Sequence, residues 1–267
     1  MTPSLSDLET LARSAGEIVR SGFEPRPGYG RRLTIEHKGD IDLVTDIDRQ
    51  SERYLITEIN RRFPGHGIYA EESGNNSNGQ SSVWYIDPLD GTINFAHGVP
   101  IFAVSIGYEE DGELQLAAVY DPMRDECFTA QKGQGALMNG EPIHVSKQDV
   151  LLNSLLVTGF PYDVRTNPDN NFDNHARLMM SSQGVRRLGS AALDLCYVAS
   201  GRFDGFWELQ IEPYDVAAGI LIARESGALV TASTGKPLQM GKAMSILAAN
   251  PQIHAQILAK INQNIKE

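Results

Sequence analysis

Cysteine is scarce in this 267-residue chain, which holds only Cys127 and Cys196. Two thiols cannot build the disulfide framework of a small secreted domain, so a reducing cytoplasm is the expected setting. No apolar run approaches the roughly eighteen residues that a membrane-spanning helix needs. The first twenty residues lack a basic stretch followed by an apolar one, and no export signal is expected. Positive charge is also short: 23 Lys and Arg stand against 34 Asp and Glu, a net −11. A surface of that sign repels nucleic-acid phosphates on average, which argues against a sequence-independent nucleic-acid binder. The paired arginines of "GRRL" and "RRLGS" leave room for a local basic patch only. Internal repeats are absent, and the one biased tract is the polar loop "ESGNNSNGQSS".

What is present is an ordinary globular composition, 41% hydrophobic and 21% charged, enough for one large domain or two closely joined lobes. Helical periodicity predicts a helix over residues 5–21, opened by a capping box at Ser6–Glu9. Residues 23–40 read as a loop or irregular hairpin. A second helix follows "DLVTDID", with Tyr54, Leu55, Ile56 and Ile59 inward, and ends before Pro64. Strands are expected at Val83–Ile86, Ile101–Glu109, Glu113–Tyr120 and Glu126–Ala130. The second half alternates: a strand over Leu152–Thr158, helices over Asn174–Ser182 and Ala191–Ser200, and a strand over Phe203–Glu208. A helix from Pro213 to about Ser226, a strand over Ser245–Ala249 and a helix capped by Asn250-Pro251 complete it. The pattern is α/β in layers, with no linker that would separate two independent domains.

The stretch "WYIDPLDGTINF" places Asp87 and Asp90 at the end of an apolar strand. Pro88 cannot donate to a ladder and should end the pairing. Asp90 and Gly91 suit a turn, and Thr92 suits a helix start. Two carboxylates in one cleft repel, and a bound divalent cation would let both stay ionised. Further acids could join them: Glu71 and Glu72 after Gly67–Ala70, Asp46 and Asp48 in "DLVTDID", and Asp215 at the positive end of its helix. An oxygen-rich set with scattered histidines suits Mg²⁺ or Mn²⁺ better than Zn²⁺. Two such ions could hold the attacking and leaving oxygens of a phosphoryl transfer, with the backbone N–H groups of Gly91 and Thr92 on the phosphate. Each piece has a plainer reading. D-x-x-D is a common turn, "EES" a solvated loop, and Asp215 an anion at a helix start. Spacing does not show that the acids meet. The hydroxyl of Thr92 lacks an adjacent His or Lys base and is not expected to be a nucleophile. Cys196 and His97 read as structural, and "KGQGALMNG" as a hairpin.

The motif "DPLDGTINF" resembles the D-P-[I/L]-D-G-T-x-N-F signature of the inositol monophosphatases. "YDVAAG" resembles their W-D-x-A-A-G signature, with Tyr214 where tryptophan is usual. "AEES" and "DLVTDID" fall where that family has its upstream acids. The resemblance implies a layered αβαβα sugar-phosphatase fold in a single domain over 1–267, with a metal and phosphate half over about 1–150 and a substrate-side half over about 151–267. It implies a cytoplasmic, Mg²⁺-dependent, Li⁺-sensitive phosphomonoesterase of inositol or sugar phosphates, acting as a homodimer. Glu71, Asp87, the backbone carbonyl of Leu89, Asp90 and Asp215 would ligate two or three Mg²⁺. Thr92 and Glu71 would hold and activate the attacking water, with Asp48 orienting Thr92. Lys38 would lie in a loop near the phosphate, Asp46 would be solvated, and Glu72 structural. Gly91, Arg186, Ala191 and Glu208 would complete the substrate site. Plainer readings are a dimer contact or ion pair for Arg186 and a solvated acid for Glu208. The loop "GFPYD" departs from the serine-bearing loop of animal members, which puts ring selectivity in doubt. Fructose-1,6-bisphosphatase, histidinol-phosphatase and 3′-phosphoadenosine-5′-phosphate phosphatase are sister activities. A regulatory binding protein that contacts the transcription machinery is the non-enzymatic alternative.

Overall fold

The computed structural model describes residues 2–23, 35–37, 43–77 and 79–262. Lys38 and most of the 23–40 segment lie outside the described residues. In chain order the elements are α1 (Leu5–Gly22), β1 (Ile35–His37), β2 (Leu43–Thr45), α2 (Asp46–Arg62), β3 (Gly67–Ala70), β4 (Gly74–Asn75), β5 (Ser82–Asp90) and α3 (Thr92–Ala96). Next come β6 (Ala103–Glu110), β7 (Glu113–Asp121), β8 (Glu126–Gln131), β9 (Ala136–Met138) and β10 (Glu141–Pro142). The second half holds β11 (Leu155–Thr158), α4 (Phe172–Met179), β12 (Gly184–Arg186), α5 (Ala191–Ala199), β13 (Gly205–Ile211), α6 (Pro213–Glu225), β14 (Leu229–Thr231), β15 (Met244–Ala249) and α7 (Pro251–Ile261).

Helix α1 starts where Ser4 caps it. Asp7 N donates to Ser4 Oγ at 3.3 Å, and Asp7 Oδ2 takes the Ser4 N–H at 2.9 Å. The capping box is therefore Ser4–Asp7 rather than Ser6–Glu9, and the helix is one residue longer at its end than expected. Thr45 and Asp48 cap α2 in the same reciprocal way. Both helices bury one stripe: Leu8, Leu11, Ala12, Ala15 and Val19 in α1, and Ile47, Leu55 and Ile59 in α2. Tyr54 and Ile56 sit at the margin of that core.

An eight-stranded sheet in the order β10-β9-β8-β7-β6-β5-β3-β4 and a five-stranded sheet in the order β12-β11-β13-β15-β14 face each other. Helices α1 and α2 cover one face of the larger sheet, packing on Trp84, Ile86, Val104 and Ile106. Helices α5 and α6 lie between the sheets, against Tyr85, Ala117 and Val119 on one side and Phe206, Ile246 and Ala248 on the other. Helices α4 and α7 cover the outer face of the smaller sheet, where Leu178, Ile253 and Ile257 meet Trp207 and Leu247. This is the five-layer αβαβα arrangement. A helix between two sheets has no solvent face, which is why every residue from Ala192 to Ala199 is buried. Among the described residues, no helix is long and apolar enough to cross a membrane.

Two strands depart from regularity. On β5, Asp87 pairs with Ser105 and Asp90 with Ala103. Three steps along one strand match two along its neighbour, which is a bulge. Pro88 therefore does not end β5 as expected. It occupies the bulge, where no ladder donor is needed, and Ser51 Oγ donates to its carbonyl at 2.9 Å. On β13, Glu208 pairs with Ile246 and Ile211 with Met244. Gln210 absorbs that extra residue with a φ of 59°. Strand β13 thus runs past Glu208, whereas β11 starts late, after a 3₁₀ turn over Leu151–Asn153.

Candidate active site

Alternation along a strand would put residues three apart on opposite faces. The β5 bulge cancels this. Ser105 and Ala103 are two apart on β6, so Asp87 and Asp90 share the face turned towards α5 and α6. Strand β3 is parallel to β5 with Ala70 opposite Ile86. Glu71 follows, its N–H donating to Ile86 O at 3.1 Å, and so it comes up beside Asp87. Asp215 arrives from the first turn of α6, where its Oδ2 accepts from Glu212 N at 3.0 Å. Four acids from β5, the end of β3 and α6 meet at the mouth of the inter-sheet layer.

Their electrostatics record that meeting. Burial first, then Glu71, Asp90 and Asp215, push the Asp87 carboxyl well above its ordinary range. Burial, then Asp90 and Glu71, do the same to Asp215. Asp90 is pushed up to about 6 by burial, against hydrogen bonds that favour its charge. Those bonds seat it on the N-terminus of α5: Ser190 Oγ at 2.6 Å and Ala192 N at 2.7 Å on Oδ2, with Ala191 N at 3.3 Å on Oδ1. Such repulsion among buried carboxyl groups is relieved by a hard cation. The donor set fits one: it is all oxygen, without His or Cys, and although Asp90 Oδ2 already accepts twice, its Oδ1 takes only the 3.3 Å bond from Ala191 N. Among the described residues, no three acidic, His or Cys side chains stand ready-made as a metal cage, so ligation would turn these carboxylates towards the ion.

Thr92 and Asp48 form the supporting pair. Gly91 turns the chain with a φ of 101°, and a Cβ there would come within 2.9 Å of Ile101 O. Thr92 then opens the short helix α3. Its Oγ1 lies 2.7 Å from Asp48 Oδ1 and 3.0 Å from Leu89 O, and its single proton serves one acceptor at a time. Asp48 is wholly buried. Burial pushes its pKa up, while the hydrogen bonds of Thr45 and Thr92 oppose the shift. Glu72 N donates to Glu52 Oε2 at 2.9 Å, a structural tie. Asp46 is half-buried rather than solvated and accepts from Gln50 at 3.3 Å.

A cavity of about 200 Å³ opens beside the acids, bordered by Glu71, Asp90, Ser190, Ala191, Glu208 and Asp215. Glu208 faces inward from β13, against Gly159 of the "GFPYD" loop. A Cβ on Gly159 would stand 2.1 Å from Glu208 Oε2. Burial pushes Glu208 up to about 8, with Arg187 opposing and Asp90 adding. Ala191 borders the cavity as the resemblance implies, but Arg186 does not. Arg186 sits exposed at the end of β12, its guanidinium on Val185 O at 3.2 Å, and its neighbour Arg187 borders the cavity instead. Sequence reasoning also missed Asp194, a lone acid in the apolar run "AALDLCYVA", which borders the same cavity. That lone acid was the available signal, because an unpaired acid inside an apolar helix is rare. Tyr214 packs edge-on against Tyr69 with ring centres 5.6 Å apart, an aromatic where the signature has tryptophan.

Two sheets enclosing a helix pair, with acids converging on the mouth of that layer, define a layered α/β protein with an acidic cleft. The chain belongs to the inositol monophosphatase family, whose profile matches residues 3–266. It is 46% identical over 257 residues to the inositol-1-monophosphatase of Synechocystis sp., covering 95% of this chain and 89% of that one. It is 40% identical over 272 residues to the Nus factor SuhB of Pseudomonas aeruginosa, covering 99% of this chain and 98% of that one. The solved inositol monophosphatase of Anabaena sp. superposes with a TM-score of 0.85 at 41% identity, over 96% of this chain and 94% of that one.

Proposed function

We propose that this protein is a Mg²⁺-dependent phosphomonoesterase that hydrolyses inositol monophosphate or a related sugar phosphate with water. The convergence of Glu71, Asp87, Asp90 and Asp215 carries the reading. These residues, with the Leu89 carbonyl, would hold the metal. Bound Mg²⁺ would polarise the phosphate and lower the pKa of a water. Glu71 and Thr92 would then hold that water, and Asp48 fixes the Thr92 hydroxyl by its hydrogen bond. The Gly91 and Thr92 N–H groups would contact the phosphate. Ala191 and Glu208 would meet the alcohol, with Arg187 taking the place first given to Arg186.

Glu208 and Asp194 line the alcohol side together with Arg187, and burial raises both carboxyl groups, so this wall would meet the hydroxyls of a polyol as hydrogen-bond partners. Li⁺ sensitivity, a homodimer and a cytoplasmic setting belong to the same reading, and two free buried cysteines suit a reducing compartment. A regulatory role is the second reading, favoured by relatives named Nus factor SuhB. It is compatible with a working phosphatase site.

The test is a substrate panel with purified protein, with Mg²⁺ and with excess EDTA. Turnover of inositol 1-phosphate only with Mg²⁺ is expected, with inhibition by Li⁺. Full turnover in EDTA would overturn the metal assignment.

A further inference from the structure

Buried acids in this chain are normally satisfied by hydrogen bonds. Asp121, wholly buried, accepts from Met123 N at 2.9 Å, Arg124 N at 3.1 Å and Arg124 Nη1 at 2.9 Å. Asp48 takes its bonds from Thr45 and Thr92. Asp194 breaks the pattern. It is 1% exposed, and its Oδ1 has no hydrogen-bond partner among the described residues. An unpartnered buried carboxyl group is strongly unfavourable, and a leucine would suit this site better. Every neighbour on α5 is apolar: Ala192, Leu193, Leu195 and Cys196.

The position explains what such a group could do. Asp194 lies one turn along α5 from Ser190 and Ala191, the residues on which Asp90 sits. All three border the same cavity, with Glu208 and Arg187 on its wall. Burial first, then Glu208 and Asp90, push the Asp194 carboxyl up, and Arg187 opposes them. The proposed metal ligands Glu71, Asp90 and Asp215 thus border one cavity with Glu208, Asp194 and Arg187.

We propose that Asp194 is a specificity-determining residue of the alcohol subsite, its carboxyl group forming a hydrogen bond with a hydroxyl of the polyol that the phosphate esterifies. The inference rests on the phosphatase reading above and adds a second hydroxyl reader beside Glu208. The missing partner of Asp194 is then supplied by the substrate. A phosphate ester without ring hydroxyls leaves the group as it is in the free protein.

The experiment compares Asp194→Leu and Asp194→Asn with the wild type on inositol 1-phosphate and p-nitrophenyl phosphate at saturating Mg²⁺, with Tm measured in EDTA. For Asp194→Leu, kcat/KM on inositol 1-phosphate should fall by about tenfold to a hundredfold, mostly through KM, and on p-nitrophenyl phosphate by less than about threefold. Asp194→Asn, which keeps an acceptor and a donor, should restore most of the loss. Tm of Asp194→Leu should equal or exceed that of the wild type, because an unsatisfied buried group has gone. Equal losses on both substrates, an unchanged ratio, or a leucine variant that melts early or fails to fold would show a structural role and overturn the proposal. A wild type that does not hydrolyse inositol 1-phosphate would overturn the parent reading and this one together. An unchanged ratio in the variant of an active wild type overturns this one alone.

Discussion

Asp87, proposed above as a metal ligand, would serve function against stability. It is buried, its Oδ1 takes the Leu89 N–H at 3.0 Å, and Glu71, Asp90 and Asp215 all act against its charge. Asp87→Asn keeps that hydrogen bond and removes the repelled charge. The expected outcome is a fall in kcat of about a hundredfold or more with Mg²⁺ and a higher Tm than the wild type in EDTA. Thermal scans and steady-state rates on one preparation check both halves. Near-normal turnover at saturating Mg²⁺ would remove Asp87 from the ligand set. The acids were legible as residues, because the two signature motifs are local strings. Arg187 was not separable from Arg186, since adjacent residues at a strand end differ only in which way the backbone turns them.

At the scale of elements, the site depends on how β11, β13 and α4 are pinned together. Asn171, 3% exposed with a φ of 71°, does the pinning. Its Nδ2 donates to Thr158 Oγ1 at 3.0 Å and Gly159 O at 2.8 Å, and its Oδ1 accepts from Trp207 Nε1 at 2.7 Å. Gly159, held this way, forms the seat of Glu208. Asn171→Ala leaves the buried Trp207 N–H without a partner and should destabilise the fold by about 3 kcal/mol, measured by urea unfolding. It should also weaken discrimination between inositol 1-phosphate and p-nitrophenyl phosphate. A change below about 0.5 kcal/mol would show that another group or water takes over. None of this was readable from "NPDNNFDN", which looks like polar loop. The bulges were equally hidden: Pro88 read as a strand end because a proline in a ladder is usually one.

For the whole molecule, the raised carboxyl groups set a pH dependence. Asp90 stands at about 6 and Glu208 at about 8, with Asp87 and Asp215 also raised. Unfolded carboxyls titrate near about 4. Between those limits the folded protein holds protons that the unfolded chain has released, so stability falls as pH rises from about 4 to about 8. The lowered pKa values of Asp7, Glu36, Glu58 and Glu113 act the other way at pH below about 4, and the lowered His66 and His254 oppose the decline up to about pH 6.5, two groups against the four raised carboxyls. In EDTA, Tm should therefore decline from pH 5 to pH 8. With Mg²⁺ it should rise and the decline should flatten, because the ion binds the ionised cluster of the folded state. A Tm that ignores Mg²⁺ across this range would contradict a cation site at the cluster.

The sequence by itself determined the layered α/β class, the two signature motifs, most element positions and the oxygen-rich donor set, because periodicity, caps and motifs are properties of neighbouring residues. Tertiary structure alone decided that Asp87 and Asp90 face one way, that Arg187 rather than Arg186 borders the cavity, and that Asp194 lies unsatisfied beside Glu208. Those outcomes depend on strand register, two bulges and a helix enclosed between sheets, and each joins residues far apart in the chain.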